Sequence, residues 1–179
     1  MGTGSTLQIG GGAADLTPDQ PVLVSGQFHA RVSEGVLDPV TATALALSSG
    51  NIGLSSAAVM VSCDLVAISD SLLESVRTRV AKTLPELDPR CVYLNATHTH
   101  AAPEVRTDKD YVKFGGGISS MGMCVDLRAM DPAEYVELAA GRIAGAVESA
   151  WRGRRPGSIG YGLGHAVVGH NRRSSYFGG

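Results

Sequence analysis

The sequence has few aromatic residues, with one tryptophan and three phenylalanines, and no excess of either charge; its formal net charge is −2. A balance this close lacks the basic footprint that nucleic-acid or polyanion binding requires. The short cluster Arg152, Arg154 and Arg155 reads as a solvated helix exit. No apolar run reaches the ~20 residues of a membrane span. The N-terminus lacks a basic stretch followed by an apolar one, so no signal peptide is expected. Cysteine is scarce: Cys63, Cys91 and Cys124 are odd in number and far apart, which argues against a disulfide framework. These absences together predict a protein of a reducing compartment, the cytoplasm. The leader Met1-Gly2-Thr3-Gly4-Ser5-Thr6 fits the loose myristoylation pattern and is read as a flexible lead-in.

What is present suits a globular core. The 179 residues are 44% hydrophobic and include 23 glycines, enough for one domain or part of a larger one. Leu7-Gln8-Ile9 reads as a short strand ahead of Gly10-Gly11-Gly12. A dinucleotide loop would need a third spaced glycine where Asp15 stands, so that reading fails. Asp15-Leu16-Thr17-Pro18 is turn chemistry. Val22–Val24 is a brief apolar run, and an extended 27–33 segment would hold His29 and Arg31 on one face. His29 reads as a core or surface residue, with a substrate contact as the alternative.

Val40–Ser48 reads as a strand, and Ala57–Ser62 as a second, apolar enough for burial on both faces. It ends at Cys63-Asp64. Ser69 or Asp70 can cap a helix whose stripe is Leu73, Val76, Val80 and Leu84. Pro85 ends that helix, and Cys91–Ala96 follows as a strand. A strand, helix, strand order of this kind predicts parallel strands joined by a right-handed crossover, within a mixed α/β sheet flanked by helices. Residues 101–130 form a long glycine-rich stretch, read as a lid. Asp131-Pro132-Ala133-Glu134 is a strong helix start, with Val136, Ala140, Ile143, Val147 and Trp151 as its buried stripe. Ser158–Val168 reads as a final strand, with Ile159, Tyr161 and Leu163 on one face.

The chemistry gathers at Asn95-Ala96-Thr97-His98-Thr99-His100-Ala101-Ala102-Pro103. Period-two alternation in an extended chain puts His98 and His100 on one side and Thr99 on the other. Two adjacent imidazoles suit a divalent metal, zinc above all. They serve equally as hydrogen-bonded polar residues at a strand edge. Parallel strands bring their C-terminal ends to one edge, where ligands of open α/β sheets bind. Asp64 lies at such an end too, as a ligand, as a carboxylate orienting a histidine, or as the cap of the next loop.

The order of these motifs resembles the N-terminal region of the neutral/alkaline ceramidase family. Asp15-Leu16-Thr17-Pro18, Val61-Ser62-Cys63-Asp64-Leu65, the His98-Thr99-His100-Ala101-Ala102-Pro103 run and Asn171-Arg172-Arg173 carry the resemblance, which spans essentially the whole chain. Members are zinc amidases that split ceramide into a sphingoid base and a fatty acid. The resemblance implies His98 as the first zinc ligand, His100 as the active-site histidine near the metal-bound water, and Arg172 as an active-site arginine. Ala101-Ala102 stands where the family usually has Ser-Gly, and Arg173 where a serine is common. Those departures bear on the substrate more than on the hydrolysis. The family's other ligands, a histidine, a glutamate and a tyrosine, fall beyond position 179. The chain is therefore expected to be the N-terminal portion of a longer catalytic domain, 1–179 forming one unit, with the remainder downstream or in another chain.

Two other readings stand beside the ceramidase-like amidase. One is a noncatalytic module that keeps the fold. The other is a metal hydrolase for a different amide or ester. The metallo-β-lactamase pattern is excluded because Ala102 occupies its aspartate position.

Overall fold

The first strand runs straight through the triple glycine. In the computed structural model, which describes residues 7–27, 29–49, 57–107 and 128–169, β1 spans Leu7–Asp15. The sequence reading stopped this strand at Ile9, because glycine has low strand propensity. The reason for the glycines lies in a helix far along the chain. A Cβ on Gly10 or Gly12 would collide with the backbone at Ala150 or Ala146. Gly11, facing the other way, has nothing near it. The glycines on the helix side let the helix backbone lie directly on the strand.

β2 is Thr41–Ser49, β3 Ala57–Cys63, α1 Asp70–Thr83, β4 Val92–Ala96, α2 Pro132–Arg152 and β5 Arg155–Pro156. A 3-10 turn, Pro89–Cys91, leads into β4. The sheet has five strands in the order β4-β3-β2-β1-β5. β1 pairs antiparallel with β2 and with β5, and β2 pairs antiparallel with β3. β3 and β4 are parallel, with Val59 opposite Val92 and Cys63 opposite Ala96. This is the expected mixed α/β sheet with helices packed on it, and α1 is the crossover.

Both helices start as the sequence dictates. The Ser69 hydroxyl accepts from the Leu72 N–H, and the Asp131 carboxylate accepts from the Ala133 N–H ahead of Pro132. The buried stripe of α1 is Leu72, Val76 and Val80; Leu73, expected to begin it, is only half-buried. All five stripe residues expected in α2 are buried. The core joins these helices to Ala42, Ala44, Ala46, Val59, Val61 and Val92 on one face of the sheet.

Two expectations need correction. β3 buries Val59, Val61 and Cys63 but leaves Met60 47% exposed. A run that reads as buried on both faces is here covered on one. Its cross-strand neighbours on the open side, Leu45 and Tyr93, are 40% and 54% exposed. The proposed strand Ser158–Val168 is not a strand: β5 is two residues long, and residues 158–169 carry no regular structure. Ile159, Tyr161 and Leu163 are 63%, 100% and 92% exposed. The alternation is present, but no neighbouring strand among the described residues supplies hydrogen bonds to it.

Candidate functional site

Because Cys63 and Ala96 are register partners, β3 and β4 end together. Their exits stay joined: the Thr97 N–H donates to the Cys63 carbonyl (2.9 Å) and the His98 N–H to the Leu65 carbonyl (3.0 Å). His98 then leaves the strand conformation, with φ +64°. Simple alternation therefore does not place the imidazoles. Histidine is among the non-glycine residues enriched in this left-handed region. The turn still brings His98 Nε2 and His100 Nε2 to 3.5 Å, with ring centroids 5.0 Å apart and the rings near perpendicular. Both side chains are exposed.

The orientation of His98 has a definite cause. Its Nδ1 lies 2.6 Å from the Val66 carbonyl oxygen. A carbonyl can only accept, so Nδ1 must carry the hydrogen. In the neutral ring that leaves Nε2 with a free lone pair, aimed toward His100. A backbone carbonyl fixing the far nitrogen is a common support for a metal-binding histidine. Asp64 does not fill that place. Its Oδ2 accepts from the Thr41 backbone N–H (3.1 Å) and hydroxyl (2.7 Å), tying the start of β2 to the end of β3.

The loop bearing His100 is fastened to residues 21–31. The Ser25 N–H donates to the Ala102 carbonyl, and the Glu104 N–H to the Leu23 carbonyl. Glu104 is buried and accepts from the Ser25 hydroxyl, from the Val105 and Arg106 N–H groups and from the Arg106 side chain. Burial works to raise its pKa, but the Arg106 hydrogen bonds and charge, with Ser25, outweigh it and hold the carboxyl below its usual range. Arg31 Nη2 donates to the Ser25 carbonyl (2.8 Å) and the His100 carbonyl (2.7 Å). The sequence reading passed over this cluster. Ser25 and Glu104 are 79 residues apart and share no motif.

Beside the loop lies a cavity of about 680 Å³, lined among others by Arg31, Val40, Asp64, Thr99, Ala102 and Pro103. Neither histidine lines it; Thr99, between them, does. Cys63 is fully buried, and burial first, then the Asp64 charge, pushes its thiol up to about 12, so it is no nucleophile. Cys63 is a free thiol. His29 and His165 are exposed surface residues. Arg172, with Asn171 and Arg173, lies outside the described residues, as do Cys124 and residues 108–127 of the expected lid.

A nitrogen pair at 3.5 Å fits one zinc ion, whose tetrahedral ligands at ~2.0–2.1 Å stand roughly 3.3 Å apart. The fit is partial. Among the described residues no group of three or more His, Cys, Asp or Glu could hold a metal. No helix among them is long and apolar enough to cross a membrane.

No protein-family model and no curated protein matches the chain. Its fold does match solved structures. A crystal structure of neutral ceramidase from Pseudomonas aeruginosa aligns over 85% of this chain with a TM-score of 0.62 and 19% identity. A ceramidase complexed with C2 aligns with the same coverage, score and identity. At that identity the likeness is one of fold. The chain spans 22% of the length of each.

Proposed function

We propose that this chain is the N-terminal part of a zinc-dependent hydrolase acting on an N-acyl amide, with a ceramide-like lipid as its substrate class. The carrying observation is the His98–His100 pair at the joint exit of β3 and β4, with His98 Nδ1 committed to a carbonyl. The ceramidase-like fold supports it, and so does the motif order. Bound zinc would supply an activated water and polarise the scissile carbonyl.

The residues of this chain take distinct parts. His98 offers Nε2 as a ligand. His100, whose Nε2 lies beside it, would accept or return a proton in this reading, and the 3.5 Å contact supports that part. Arg172 is assigned, from its Asn-Arg motif alone, to the developing oxyanion. Asp64 holds the strand ends together and so supports the loop that bears His98. Two imidazoles are one short of the three protein ligands usual at a catalytic zinc, so the remaining ligands must come from outside the described residues. The cavity lined by Ala102, Pro103 and Val40 gives an apolar chain a place to lie alongside the loop.

The test compares this chain with one extended beyond position 179 in its natural reading frame. The extended chain should retain stoichiometric zinc after dialysis and release fatty acid from short-chain ceramide analogues. The 179-residue chain should do neither. Zinc-free, inactive protein in both cases would favour the noncatalytic module; turnover by the short chain would show its site to be complete.

A further inference from the structure

We propose that Arg31 is a positioning residue for His100, holding its main chain so that the imidazole stays turned toward His98. The role rests on the hydrolase reading for its kinetic consequence, and on geometry for the rest.

The two histidines are supported differently. His98 is fixed at both ends: its N–H bonds the Leu65 carbonyl and its Nδ1 the Val66 carbonyl. Its position therefore follows from β3. His100 sits two residues further out. Its ring meets His98 on one side and Gly26 on the other. Gly26 has φ +96°, and a Cβ there would stand 2.5 Å from the Cγ of His100. The backing is bare backbone, so it can block the ring but cannot pull it into place.

The pull comes from Arg31. A single nitrogen, Nη2, donates to the carbonyls of Ser25 and His100. Nη2 carries two hydrogens in the guanidinium plane, one for each acceptor. Ser25 is the residue before Gly26, so this nitrogen draws together the chain behind the ring and the chain that bears it. The Ser25–Glu104–Arg106 knot cannot do the same work, because it grips the loop beyond His100. Arg31 Nε is buried with no hydrogen-bond partner among the described residues. The side chain thus keeps both carbonyls while one of its own donors goes unsatisfied. A lysine would place one compact ammonium on a flexible stem and lose the planar fork.

The experiment uses Arg31→Met and Arg31→Lys in the 179-residue chain and in the extended one. In the short chain, nuclear Overhauser contacts are measured from the His100 ring to Gly26 Hα and to the His98 ring. Arg31→Met should lose both while the core contacts of Val59, Val61 and Ile143 persist, and Arg31→Lys should weaken them. In the extended chain, kcat should fall about 10–100-fold with KM unchanged, because a misplaced group costs transition-state geometry. A merely structural role would lower the melting temperature and leave the ring contacts intact, and that result overturns the proposal. So does a rise in KM at constant kcat. If Arg31→Met does not fold, Arg31→Lys decides by the same contacts. An extended chain without zinc or turnover would defeat the hydrolase reading, while the ring contacts would still decide what Arg31 does.

Discussion

The carbonyl oxygen of Val66 lies 2.6 Å from Nδ1 of His98, and this one bond determines which ring nitrogen faces the candidate site. Val66 lies three residues past the end of β3, so the strand exit aims the histidine. The parallel pairing of β3 with β4 is what makes the bond possible. Cys63 opposite Ala96 brings the two exits level, and the backbone bonds from Thr97 and His98 carry that alignment into the loop.

The contact between β1 and α2 gives a paired prediction. Gly10→Ala and Gly12→Ala should each destabilise the chain by about 2–4 kcal/mol, because helix backbone cannot move aside as a side chain can. Gly11→Ala, with nothing near its Cβ, should stay within about 0.5 kcal/mol of the parent or gain slightly. Urea unfolding of the three variants measures this. Equal losses at all three positions would mean that strand propensity, not close packing, governs the segment.

The same glycines show where sequence reasoning reaches its limit. Periodicity and capping revealed β2, β3, α1, β4 and α2, because those signals are local. The extension of β1 through Gly10–Gly12 was hidden, since its cause sits at Ala146 and Ala150, far along the chain. Ser158–Val168 misled in the opposite way: it has the alternation of a strand, but a strand also needs a partner. The two histidines were legible as a pair from their spacing. The left-handed turn at His98 was not, and neither was the Arg31 bridge to His100, which joins residues 69 positions apart.

Glu104 makes the chain sensitive to acid. Its carboxyl is held below the usual range, so it stabilises the fold at pH values above its unfolded pKa of about 4.3. That contribution fades as pH falls through the lower folded value, when a proton displaces the Arg106 and Ser25 hydrogen bonds. Glu104→Gln should cost about 1–3 kcal/mol at pH 7 and flatten the loss of stability below pH ~4. Thermal melts of parent and variant across that range check it. Parallel curves would show that other carboxylates govern acid unfolding.

The open face of the sheet predicts self-association. Leu45, Met60 and Tyr93 are cross-strand neighbours and all more than a third exposed, an apolar row on a solvent-facing sheet. Replacing the three with threonine removes little burial and keeps strand propensity, so each change should move stability by less than about 1 kcal/mol. The triple variant should bind less of an apolar dye and stay monomeric to higher concentration by light scattering. Unchanged dye binding would place the exposed apolar surface elsewhere.

The histidines should separate by phenotype in the extended chain. His98 has its Nδ1 tied to Val66 and its Nε2 directed outward, the posture of a ligand. His98→Ala should therefore lose zinc and activity together. His100 is held by its main chain and by the wall at Gly26, and among the described residues its ring meets only His98 in a hydrogen-bond contact. It fits a proton-transfer role better, and His100→Ala should retain zinc while kcat falls about 10²–10⁴-fold. Metal analysis after dialysis, paired with kcat, reads the difference. Equal zinc loss in both variants would make both histidines ligands, as their 3.5 Å nitrogen spacing also allows, and would move proton transfer to a residue beyond this pair. Full zinc retention in both would remove His98 from the metal altogether.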